Sequence, residues 1–480
     1  MKKIILTLLV ALVILVAFIL FKTSKLKAIT YPTYAKTEVD AKINTLQEAL
    51  RFETISHKKE MIDSSAFGGL HAYLDSVFPN ITQKLEKTLV NDYSLVYKWK
   101  GSDPKAGNVV LMGHQDVVPV EYATRDEWDA APFSGEIKDD YIYGRGTLDD
   151  KGAVLAILNG VEGLIEQGFT PRQTVYLCFG HDEEIGGEEG AQEIVKLLKQ
   201  QGVSANLVLD EGGTLSKGIV PGVESPVALI GISEKGYMSV DLNVSIPGGH
   251  SSMPEERNAL RVLTDAIYKL NHNQLPNKIT PPIQGFIEHV GPHLPFAQKM
   301  AFANTWLFKP LIFSVYEKSA SGAALIHTTQ VNTIIQAGIK DNVVPNKASA
   351  VVNYRLLPGD TPEMILEHVK QTVGDSAVKV TIHDSFKESA SPVSDYHDES
   401  FSQLASAILA IHPDAVVSPY MVLGATDGRY FYEISDHVYR FSPFPMTKKD
   451  LPRMHGINER IAVQDFKDAA DFYATFIKSL

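Results

Sequence analysis

The chain has 480 residues, 44% of them hydrophobic and 21% charged, which excludes a disordered, collagen-like or low-complexity protein. At ~100–200 residues per domain, two to four domains are expected. Lys and Arg number 45 against 57 Asp and Glu; the formal net charge of −12 argues against a general nucleic-acid binder, which carries a basic footprint. Cys178 is the only cysteine, so no intrachain disulfide can form.

The N terminus differs in kind from the rest. Residues 1–27 hold five lysines (Lys2, Lys3, Lys22, Lys25 and Lys27) and no acid, so residues 28–480 carry −17. Between the lysines runs an apolar stretch of 18 residues, Ile4 to Phe21, broken only by Thr7. At ~1.5 Å per residue it reaches roughly 27 Å, enough to span a bilayer core. A cleavable signal has a shorter apolar region, about 7–15 residues, and an A-x-A-like site. Here Ala28 is the only alanine in the ten residues after Phe21. The pattern favours a membrane anchor through residues 4–21 over a cleaved signal or a buried helix. The body is then expected in a periplasmic, lumenal or extracellular space, or secreted if the segment is cleaved.

A polar linker leads into helical spacing over 41–54 and a second helix over 67–78. Next comes a rhythm of strands and helices. Apolar runs at 108–112, 174–179 and 206–209 read as buried strands, and 151–167 and 190–199 as helices. Such alternation argues for an α/β sheet covered by helices. After about residue 232 the texture changes. Strands are expected at 237–246, 348–357 and 378–383, with helices at 258–270 and 363–373. That predicts a smaller α+β unit with one open sheet face. Within it, the Pro-rich and aromatic residues 275–330 read as an insertion with short helices. A helix at 401–411 then resumes the α/β pattern. The expected division is 1–27 anchor or signal, 28–232 first part of a catalytic domain, 233–384 inserted unit, and 385–480 second part.

Five segments place His, Asp or Glu beside glycines or at strand ends, where ligands of open α/β folds bind. They are Gly113-His114-Gln115-Asp116, Gly144 to Gly152 (GRGTLDDKG), His181 to Gly187 (HDEEIGG), Leu209 to Gly213 (LDEGG) and Met454 to Glu459 (MHGINE). Asp116, two residues beyond His114, shares its face and can orient its imidazole. Of two adjacent glutamates, one can bind a cation while the other stays free as a base. Helix capping by the aspartates and solvated acidic loops are the structural alternatives. Together, His114, Asp149, Glu184, Asp210 and His455 suit a two-metal site better than any segment does alone.

The ordered series GHQD, GRGTLDDKG, HDEEIGG, LDEGG, GGHSS and MHGINE resembles the M20 family of metallopeptidases over nearly the whole chain after about residue 35. The apolar N terminus and long insertion look most like its carboxypeptidase S branch, which includes enzymes of N-fatty-acyl amino acids. The resemblance implies a di-zinc aminopeptidase-like α/β catalytic domain with an inserted α+β lid or dimerisation-type domain. It implies two divalent cations, zinc first, with cobalt or manganese as alternatives. Asp149 would bridge them, His114 and Asp210 would complete one site, and Glu184 and His455 the other. Glu183 would be the general base and Asp116 would orient His114. His250, in Gly248 to Ser252, would stabilise the oxyanion; in dimeric relatives this histidine comes from the partner subunit, so a homodimer stays open. Asn342, Arg355 and Arg429 would contact the substrate, although a lid or loop salt bridge is the alternative for each. The implied substrate is an N-acyl amino acid or short peptide with a free C-terminal carboxylate. Aminoacylase, dipeptidase and carboxypeptidase activities remain alternatives, as does a catalytically silent protein that kept the fold. The aromatic cluster Trp306 to Phe313 would line an acyl pocket or form lid core.

Overall fold

The apolar run Val109–Met112 becomes the middle of a strand, Asn108–His114, buried on both faces. The computed structural model describes residues 1–58 and 61–480. Among these residues, eight strands form one mixed sheet in the order 86–90, 94–99, 174–180, 108–114, 205–216, 438–446, 227–234 and 416–422. The strand Asn108–His114 runs parallel to both Thr174–Gly180 and Ala205–Ser216. Three strands therefore end side by side at the same edge of the sheet.

Helices cover both faces. Lys151–Glu166 is buried on almost every side, because the C-terminal helix Val463–Ser479 lies across its outer face. Gly160 permits that crossing; a Cβ there would sit 2.9 Å from the Ala470 carbonyl oxygen. On the opposite face, Ala191–Gln200 buries Ala191, Ile194, Val195 and Leu198, the stripe expected of an amphipathic helix.

A second hydrophobic core belongs to a separate antiparallel sheet of strands 329–337, 347–356, 236–245 and 378–388. Its strand Lys347–Leu356 alternates buried and half-exposed positions, and helices Ala259–His272 and Pro362–Val373 cover its buried face. The chain changes sheet at Lys235, between Val227–Glu234 and Gly236–Ser245. Residues 232/233 and 384/385, the expected divisions, both fall inside strands. The short helices of 281–326 do not simply extend this second unit. Val290 and Leu294 pack with Val227, Leu229 and Val416 at the edge of the large sheet.

Candidate metal centre

The three neighbouring strand ends and one C-terminal loop build the site. His114 closes the strand Asn108–His114 and is buried. Its Nε2 lies 2.9 Å from Asp149 Oδ1 and 3.3 Å from Glu211 Oε1. His455 Nε2 lies 2.9 Å from Asp149 Oδ2 and 3.4 Å from Glu184 Oε2. Two ligand groups result, His114–Asp149–Glu211 and Asp149–Glu184–His455, and they share Asp149.

These residues fit two divalent cations. Zinc holds nitrogen and oxygen ligands at ~2.0–2.1 Å in tetrahedral geometry, which separates ligand atoms by roughly 3.3 Å. The gaps to Glu211 and Glu184, 3.3 and 3.4 Å, match that spacing, those to Asp149 are shorter at 2.9 Å, and each oxygen of Asp149 faces a different histidine. Glu184 Oε1 is buried with no hydrogen-bond partner in the protein, as a carboxylate oxygen aimed at a cation would be.

The expected ligand Asp210 does not join either group, and Glu211 stands in its place. Successive strand residues face opposite sides of a sheet. Asp210 shares the side of Val208, where its Oδ2 accepts a 2.6 Å hydrogen bond from the Gly428 amide. Glu211 follows Leu209 on the other side and turns to His114. The LDEGG segment marked the strand end but not which acid would face the site.

Asp116 takes a place consistent with an orienting residue. Its backbone carbonyl lies 3.0 Å and its Oδ1 3.3 Å from His114 Nδ1. Its two carboxylate oxygens also accept from the amides of Glu183 and Glu184, each at 3.2 Å. One buried aspartate thus ties the histidine to the turn carrying both glutamates. That turn is a single 3-10 turn, Glu183–Ile185, ended by Gly186 and Gly187 at φ 113° and 71°, where side chains are disfavoured. The rest of HDEEIGG holds it. Asp182 accepts from the amides of Glu189 and Gly190, and His181 Nδ1 lies 2.6 Å from Ser94 Oγ.

Glu459 received no role from the sequence, yet it organises the bridging aspartate. Its Oε1 accepts from the amides of Gly146, Leu148 and Asp149 at 3.0, 2.8 and 3.3 Å. Its Oε2 pairs with the buried Arg145 at 2.5 Å. His455 itself sits at φ 57°, a left-handed conformation that costs a non-glycine residue about 1–3 kcal/mol and is typical of functional positions.

The electrostatics follow from burying several acids together. Burial, with the charges of Glu211, Asp427 and Asp149, raises the Glu183 pKa well above its ordinary value despite His114 nearby. Burial and Asp149 push Glu211 up to about 7. Burial opposes charge on His114, but Glu211, Asp116 and Asp149 outweigh it and raise its pKa. Hydrogen bonding to Asp149 and Glu184 pushes His455 up to about 10. Asp427 is buried with neither carboxylate oxygen hydrogen-bonded, and burial and Asp210 raise its pKa.

The remaining expected residues lie outside the two ligand groups. His250 pairs with Val343 in a two-stranded ribbon, and Asn342 lies in the turn just before Val343. His250 is exposed, with Nδ1 3.0 Å from Ser252 Oγ. Arg355 lies on the second sheet, half-buried, its guanidinium 4.6 Å from the Tyr237 ring centre. Arg429 donates to the Gly186 carbonyl at 2.6 Å and pairs with Glu388 at 3.4 Å, so it braces the glutamate turn.

Comparison with known proteins agrees with this geometry. Residues 110–479 match peptidase family M20/M25/M40. A probable carboxypeptidase S-like protein of Dictyostelium discoideum is 40% identical, over 90% of this chain and 84% of that protein. An N-fatty-acyl-amino acid synthase/hydrolase of Xenopus tropicalis is 37% identical, over 98% of this chain and 94% of that protein. The crystal structure of an M20 family metallo-carboxypeptidase from Sulfolobus solfataricus superposes with a TM-score of 0.65 at 20% identity, covering 91% of this chain and 98% of the other. The chain belongs to peptidase family M20/M25/M40, is similar to carboxypeptidase S-like and N-fatty-acyl-amino acid synthase/hydrolase proteins, and is an amidohydrolase of the peptidase class.

Proposed function

We propose that this protein hydrolyses the amide bond of N-acyl amino acids that keep a free carboxylate, with long acyl chains the first class to test. The observation that carries the reading is the pair of ligand groups sharing Asp149, with Glu183 beside them. His114, Asp149 and Glu211 would hold one cation, and Asp149, Glu184 and His455 the other, zinc being favoured by the nitrogen and carboxylate donors. Two such cations supply Lewis acidity for the scissile carbonyl and make a water more acidic.

Glu183 takes a proton from the attacking water and returns it to the leaving nitrogen. Asp116 keeps His114 and the Glu183 turn in register. His250 donates to the developing oxyanion. Arg355 is the better candidate for the substrate carboxylate. No carboxylate among the described residues lies within ion-pair distance of it, whereas Arg429 is engaged by Glu388. Asn342, in the turn that precedes the strand pairing with His250, completes the substrate contacts. The full-length similarity to an N-fatty-acyl-amino acid synthase/hydrolase supports the acyl substrate. Similarity to a carboxypeptidase S-like protein supports a second reading, release of a C-terminal residue from short peptides.

The mechanism is tested by Glu183→Gln. Its metal content should equal that of the parent by elemental analysis, while turnover falls by about 10²–10⁴-fold, the usual worth of general acid–base catalysis. Unchanged turnover would remove Glu183 from the role. Profiling N-fatty-acyl amino acids against N-blocked dipeptides separates the two substrate readings; no turnover of long acyl chains eliminates the first.

A further inference from the structure

The helix Lys2–Lys25 touches the folded body only near its C-terminal end. Every residue before Ile19 is exposed, and Thr23 is buried. Phe18 packs edge-on against Trp306 with ring centres 6.0 Å apart. The Asn304 side chain donates to the Ile19 carbonyl at 3.2 Å and to Thr23 Oγ1 at 3.3 Å. The apolar helix is therefore fastened to the 296–316 helices by ring packing and buried hydrogen bonds.

Those helices carry an apolar face of their own. On Thr305–Tyr316, Leu307, Leu311 and Val315 recur every four residues, one stripe of a helix, and are 40%, 54% and 55% exposed. Trp306 beside them is 52% exposed, and Phe296 on the preceding helix 62%. Contiguous exposed apolar surface of this kind marks an interaction site.

We propose that this face lies in the interface of the same phospholipid bilayer that the N-terminal helix crosses, so that the protein meets the membrane through the 296–316 helices as well as its anchor. The inference rests on reading residues 4–21 as that anchor. Lys22 and Lys25 mark the head-group level at the end of the apolar run. Phe18 lies four residues deeper, roughly 6 Å at ~1.5 Å per residue. Trp306, held against Phe18, must lie near that depth, and interfacial helices bury their apolar faces by about 5–10 Å. Tryptophan favours this zone. Lysines fold back over rings as they do at head-group level: Lys22 over Phe18 at 5.7 Å and Lys309 over Phe313 at 5.4 Å.

Trp306 is its own probe, because the other two tryptophans, Trp99 and Trp128, are buried. The full chain is reconstituted in phosphatidylcholine vesicles and checked by flotation, then compared with vesicles whose acyl chains are brominated near the glycerol end. Tryptophan emission should drop in the brominated vesicles. Trp306→Phe should remove that quenching, and adding Leu311→Trp to the same variant should restore it. A chain that floats with the vesicles but shows no bromine quenching overturns the inference and leaves the anchor intact. One that fails to float overturns both. Quenching that persists in Trp306→Phe, or is not restored by Leu311→Trp, also overturns it.

Discussion

Two pairs of adjacent acids line the candidate metal centre, and in each pair the neighbours part company. Glu184 faces His455, while Glu183 is left beside Asp149 and Glu211. Asp210 turns to the Gly428 amide and Glu211 to His114. For Asp210 and Glu211 the strand Ala205–Ser216 gives that split, since it sends successive side chains to opposite faces, whereas Glu183 and Glu184 part on a 3-10 turn. Metal analysis checks it. On the proposed ligand set, Glu211→Gln should lose about half of the bound metal, since it removes one carboxylate while the Asp149–Glu184–His455 group stays whole. Asp210→Asn should keep its metal and lose only stability. The opposite pattern would return Asp210 to the ligand set.

Among the elements, one long-range tie bears on the site, between the C-terminal loop and the turn before helix Lys151–Glu166. Glu459 receives three amides of that turn and pairs with Arg145, so the loop carrying His455 and the turn carrying Asp149 are held as a unit. Removing one partner of a buried ion pair leaves an uncompensated charge and costs about 3–5 kcal/mol. Glu459→Ala should therefore lower the denaturant midpoint and weaken metal binding together, and adding Arg145→Met should recover part of the stability. An unchanged midpoint would show that the tie contributes little. The same scale explains what sequence patterns hide. Strand Val438–Met446 contains Pro443, Pro445 and the buried Arg440, and its register shifts twice, between Arg440 and Ser442 and between Ser442 and Pro445. Proline argues against a central strand, so periodicity alone passes over it. Arg440 is tolerated because Glu234 pairs with it, and Thr426 donates to the same carboxylate. By contrast, the runs at 108–112 and 174–179 are uninterrupted and legible.

At the scale of the whole molecule, metal, protons and stability are linked. Without a cation, hydrogen bonding to Asp149 and Glu184 pushes the His455 pKa up to about 10. A raised histidine pKa contributes stability fully below its unfolded value of about 6.5, and that contribution is lost as pH rises through the folded value. A metal ligand must be neutral, so cations and this proton compete. Metal affinity should rise steadily from about pH 6 to about pH 9, with net proton release on binding. Titration calorimetry in buffers of different ionisation enthalpy measures that release; pH-independent affinity would remove His455 from the site. The metal-free protein should show the reverse trend, losing the His455 contribution above neutral pH.

The sequence alone determined the α/β class, the apolar N-terminal segment and the segments that hold the site. Each of these is local, a periodicity, an uninterrupted apolar run or a cluster of acids beside glycines. Tertiary structure decided which acid of LDEGG faces His114, that Glu459 clamps the Asp149 turn, and that the helices around Trp306 pack on the N-terminal helix. Those outcomes depend on which strands become neighbours and which sheet face meets which loop. Such contacts join residues hundreds of positions apart, like Asp149 and His455, and leave no mark in the spacing of either.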